Sequence, residues 1–161
     1  MNHNHPVTRS RWVHASILVG IGLFLLALAV SAAIIPQLRL LHLLQALIYV
    51  VVLILTSRNS PWGFGAGTII AIAWNSLNSF VTHLFQAGAG QIWTLIHGGH
   101  VTRPETLMVT IGAVGHFILI IACIAGFLEQ KPRAKNWAQF FGGGFLVLAY
   151  MALIIATTAP R

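Results

Sequence analysis

The chain of 161 residues is 57% hydrophobic and only 7% charged, with a mean hydropathy of +0.84. A soluble domain of this size carries about a quarter charged residues, so a water-soluble fold is excluded, and the length leaves room for one compact unit. The net charge of +7 comes from nine Lys and Arg against two Glu; the basic residues lie in short clusters between apolar runs, where they set membrane topology and do not bind nucleic acid.

A bilayer core takes about 20 apolar helical residues. Five stretches meet that length, at 16–35, 40–57, 63–86, 106–128 and 136–157. The expected fold is therefore all-α, a polytopic integral membrane bundle of five transmembrane helices. Residues 1–15 form a basic tail containing His3, His5 and His14, and 16–158 form a single helical domain. The first span follows Arg9 and Arg11 and contains "VSAA" at 30–33, which also fits a cleaved signal peptide; its removal would leave four helices. Ser16, Gly20, Ala27 and Ser31 give this span a small-residue packing stripe, so it is expected to lean on the outside of the bundle.

Pro36 ends the first span. On the second, His42, Gln45, Tyr49 and Thr56 share a face. The third is the least apolar and contains "AWNSLNSFVTHLFQ" at 73–86. On a straight α-helix, Thr68, Asn75, Ser76, Asn78, Ser79, Thr82, His83 and Gln86 fall within an arc of about 160°. Hydrocarbon cannot satisfy such a face, so it is expected to look at protein. Residues 87–104 read as a loop in the outer interface, held there by Ile92, Trp93, Leu95 and Ile96. Thr102, Arg103, Pro104 and Glu105 read as a capping box with an early proline, opening the fourth span. That span aligns Glu105, Gly112, Gly115, His116, Cys123 and Gly126. The fifth aligns Gln139, Gly143, Tyr150 and Thr157.

Arg9, Arg11, Arg58, Lys131, Arg133 and Lys135 fall on one side of a five-span chain, and Arg39, Arg103 and Arg161 on the other. The positive-inside rule puts the amino terminus in the cytoplasm and the carboxyl terminus outside a cell membrane. Trp12, Trp62 and Trp137 lie beside the inner ends, where an aromatic belt belongs.

The polar stripes converge on a bundle centre, with Tyr49, Asn75, Asn78, Thr82, His116 and Tyr150 as its binding candidates. Two readings stay open for it: a hydrogen-bonded seam between helices, and a solvated pocket. Nearer the outer surface, His42, His83, His97, His100 and Glu105 form a candidate metal set. Imidazole suits Zn, Cu and Fe, and His42 with His83 at equal depth fits axial ligation of a haem iron. The scarcity of carboxylates to orient such ligands counts against a tight site. The alternative for each histidine is a simple hydrogen bond to a neighbour. His116 lies about 16 Å deeper than Glu105.

Three functions follow. The first is a small membrane protein without its own catalytic motif, acting as a subunit of a complex or as a passage or binding site for a small polar solute. The second is a haem- or metal-binding redox subunit; a cofactor is possible, though the sequence requires none. The third is a membrane enzyme using histidine as acid and base, for which no Ser/His/Asp, H-E-x-x-H or thiol motif is present. There is no Asp, and Glu105 and Glu129 are the only acids, which argues against paired-carboxylate chemistry. The expected partners are the lipid bilayer and another membrane protein or a second copy of the chain.

Overall fold

A computed structural model describes residues 10–158. His3, His5, Arg9 and Arg161 lie outside the described residues. The chain is all-α: α1 (Arg11–Ile34), α2 (Arg39–Ser57), α3 (Pro61–Ser76), α4 (Leu84–Ile96), α5 (Pro104–Glu129) and α6 (Ala134–Thr158). Among the described residues, four helices are long and apolar enough to cross a membrane: α1, α2 with its leading turn Pro36–Leu38, α5 and α6. Leu18, Leu26, Phe145 and Leu153 point outward from them. A surface this apolar belongs in lipid.

The third expected span is not one of these four, because its helix is broken. Gly63 of α3 packs on Leu55, and Phe64 on Gly126, at the end where α2 and α5 finish. Leu77 and Thr82, past α3, share a cavity wall with Glu105 at the start of α5. The segment therefore runs the length of the bundle. It does so as α3 followed by a π turn, Leu77–Val81, in which the Thr82 amide donates to the Leu77 carbonyl at 3.0 Å. His83 then takes a left-handed backbone with φ 54°, and the chain turns into α4. Asn, Ser and Thr side chains compete with the helix ladder for backbone partners, and this stretch is dense in them. Gln86 Nε2 donates to the Ser79 carbonyl at 2.7 Å, across the break. A single helical wheel through residue 86 therefore fails. Asn75 is buried and Asn78 half-buried, whereas Ser76, Thr82, His83 and Gln86 are exposed.

The expected loop at 87–104 is mostly the helix α4. Gly88 lies against Thr106 and Thr110 of α5, while Trp93, Leu95 and Ile96 stand exposed on the other side. Gln91 Oε1 accepts from the Thr102 amide at 2.8 Å and the Thr102 hydroxyl at 3.2 Å. The capping box accordingly does not form at Thr102. Pro104 takes the first helical position and makes Arg103 the N-cap, whose carbonyl receives the Thr106 hydroxyl at 2.8 Å.

Helix α1 packs on α5 and α2 at the edge of the bundle, as its small-residue stripe led us to expect, and the face it turns inward belongs to the core. Val13, Ile17, Ile21 and Phe24 are core residues. Gly20 and Gly115 cross so closely that a Cβ on either would stand 2.7 Å from the other's carbonyl oxygen. Such a stripe lets two backbones approach within a membrane, and here it seats α1 along α5. Ser10 ties the same pair at its end, donating from its amide and hydroxyl to the Glu129 carboxylate at 3.2 and 2.6 Å. An anion at a helix N-terminus complements the helix dipole.

Arg11, Arg58, Lys131, Arg133 and Lys135 collect at this basic end, and Arg39 and Arg103 lie at the opposite end beside α4. Trp12, Trp62 and Trp137 occupy the basic end as well.

Candidate binding chamber

At mid-bundle the second-span stripe meets the fourth-span stripe. Tyr49 and His116 are 0% and 1% exposed. Tyr49 Oη stands 2.7 Å from His116 Nε2, and His116 Nδ1 stands 3.0 Å from Asn75 Oδ1. Asn75 Nδ2 donates in turn to the Ala113 carbonyl at 3.4 Å. The directions follow from what each atom offers. The amide oxygen of Asn75 only accepts, so His116 Nδ1 carries the proton. Nε2 is then the lone-pair nitrogen and receives the Tyr49 hydroxyl. A neutral imidazole satisfies every member of this chain, which is what an apolar interior requires of a polar group. Phe24 lies against both rings, 4.4 Å from Tyr49 and 4.1 Å from His116 between centroids.

This layer floors a cavity of about 260 Å³ between α1, α2, the α3–π segment and α5. Its lining reaches from Phe24 and His116 up to Glu105 at the α4 end, about 16 Å along α5. The polar residues of the wall are Ser31, His42, Gln45, Trp74, Asn78, Thr82 and Glu105. Glu105 is paired with Arg103 at 3.1 Å. Two buried nitrogens in this wall, His42 Nδ1 and Trp74 Nε1, have no hydrogen-bond partner among the described residues.

Of the residues singled out in the sequence, the structure brings Tyr49, Asn75 and His116 into one network, and Asn78, Thr82, His42 and Glu105 into one wall. Tyr150 goes elsewhere: its hydroxyl donates to the Leu44 carbonyl at 3.3 Å, in an apolar groove of α2 and α6. His83 is exposed at the helix break, and His100 is exposed beyond α4. His97 donates from Nδ1 to the Trp93 carbonyl at 2.8 Å and packs on the Trp93 ring at 4.1 Å. Among the described residues no three His, Cys, Asp or Glu side chains come together to hold a metal. Sequence reasoning did not single out Phe24 or Trp74 for the site. In a chain this apolar, one aromatic more on a helix face carries no signal of its own.

No known family, curated protein or solved structure matches this chain.

Proposed function

We propose that this protein is a small membrane-embedded binding protein or complex subunit, which holds a small molecule in the chamber and performs no chemistry on it. The observation that carries this reading is a chamber lined from Glu105 down to His116 and backed by a fully paired polar layer. A passage would need a polar route on both sides of that layer. Below it the core is Val52, Phe64, Ile70, Leu119 and Phe127, all within 1% of full burial, and the buried Thr56 and Thr68 hydroxyls donate to carbonyls of their own helices. That apolar plug supports binding over conduction.

The basic end with its tryptophans faces the cytoplasm in this reading, by the excess of Lys and Arg there. The chamber then opens toward the outer leaflet. Reporter fusions test the orientation: one fused at Met1 should be active in the cytoplasm and one at Arg161 outside, while two reporters on the same side would contradict it. Native mass spectrometry of protein extracted in mild detergent tests the binding. One small molecule per chain is expected, and it should be lost in Val109→Trp, which fills the wall. Wild type and V109W carrying the same adducts, or none, would count against the chamber as a binding site.

A further inference from the structure

Resting on that binding reading, we propose that the chamber takes an uncharged ring compound bearing a carbonyl oxygen, the chemistry of a quinone head. Size sets the first limit. An apolar cavity of about 150 Å³ accommodates one benzene ring; the roughly 260 Å³ here suits a substituted ring or a fused pair. Charge sets the second. Among the described residues no Lys or Arg lines the chamber, so a buried anion would have no counter-ion there. Its single carboxylate, Glu105, is already engaged by Arg103, so a cation gains little. An unpaired buried charge is far more costly than a buried dipole. His42 and His116 are the remaining titratable side chains in the wall, and both ring nitrogens of His116 are occupied.

Unused hydrogen-bonding capacity sets the third limit. Trp74 Nε1 can only donate, and it has no partner among the described residues. A ligand that satisfies it must bring an acceptor. His42 Nδ1 is also buried without a partner, and its tautomer is free to donate to a second oxygen. Gln45 and Asn78 add amides to the same wall. The rest of the wall is apolar, Leu28, Leu41, Leu77 and Met108 among it, with the Phe24 ring at the floor. Carbonyl oxygens at the edge of a flat apolar ring answer both requirements together. A sugar or an amino acid would leave most of its polar groups unpaired here.

The test titrates 1,4-naphthoquinone, naphthalene and 1-naphthoate into the purified full chain in detergent, with concentrations referred to the micelle phase. Quenching of tryptophan fluorescence and the shift of the thermal midpoint report binding. Naphthoquinone should bind saturably, one per chain, and about tenfold more tightly than naphthalene, the equivalent of about 1.4 kcal/mol. Trp74→Phe should remove most of that preference, read as the ratio of the naphthoquinone and naphthalene dissociation constants. Gln45→Leu supplies a second variant with the same expected direction should W74F fold poorly. Equal affinity for naphthalene and naphthoquinone, or tighter binding of naphthoate, would overturn the carbonyl class and leave the chamber as a binding site. An undiminished preference in both variants would also overturn it. Absence of saturable binding by all three probes would instead remove the binding reading itself.

Discussion

Replacing His116 with alanine is expected to destabilise the bundle by about 3 kcal/mol. Two effects add. The first is the void left beneath Phe24, since large-to-small changes at packed rings cost about 3–5 kcal/mol in soluble cores. The second is the loss of partners for Tyr49 Oη and Asn75 Oδ1, both in residues less than a tenth exposed. Hydrogen bonds between membrane helices average about 0.6 kcal/mol and reach about 1.7, so the void dominates and the membrane setting keeps the total near the lower bound. Tyr49→Phe keeps the ring and removes only the hydroxyl, and should cost about 1 kcal/mol. In the His116→Ala background the same change should cost almost nothing, because the partner is already gone. Reversible unfolding in mixed micelles measures all four corners of this cycle. Additive losses would mean that Tyr49 and His116 are neighbours and not partners.

A comparable loss, about 3 kcal/mol, is expected from Gly65→Val, far from the chamber. A Cβ at Gly65 runs into the backbone carbonyl of Phe140 in α6. Overpacking usually costs about 1–3 kcal/mol because side chains yield. Here the obstacle is main chain in the middle of a helix, and yielding means separating α3 from α6. The neighbouring contacts share the strain, since Gly143 meets the Trp62 carbonyl along the same crossing. Gly22→Ala is the control: its Cβ would meet nothing within 4 Å, and a surface change of that kind stays within about 0.5 kcal/mol. Equal thermal midpoints for G65V and G22A would show that the α3–α6 crossing is looser than described.

How much of this was readable beforehand differs by element. The stripe His42, Gln45, Tyr49, Thr56 and the stripe through His116 both face inward, because α2 and α5 are regular and a wheel of 3.6 residues per turn describes them. The same wheel misplaces Ser76 at the end of α3, and Thr82, His83 and Gln86 beyond it. Its period ends with α3, since the π turn begins at Leu77, and nothing in a polar stretch tells a seam from a break. The stripe on α1 shows its close packing on α5 but not its share in the chamber. A small-residue stripe signals close packing but not how central the partner is, and the Gly20–Gly115 crossing puts Phe24 into the chamber floor. Exposed histidines beside α4 looked like a set because they share a depth. Depth is legible from spacing, whereas direction around the bundle is not.

Cysteine accessibility from each side of the membrane tests the central claim, that the chamber is open at one end only. In a Cys123→Ala background, Gln45→Cys and Asn78→Cys report on the chamber. Thr68→Cys reports on the core below the floor, where Thr68 is 3% exposed and donates to the Phe64 carbonyl at 2.8 Å. With a small membrane-impermeant thiol reagent, the two chamber positions should react from the outside alone, and Thr68→Cys from neither side. Reaction of Thr68→Cys, or of the chamber positions from the cytoplasmic side, would show a continuous path through the bundle and contradict the account.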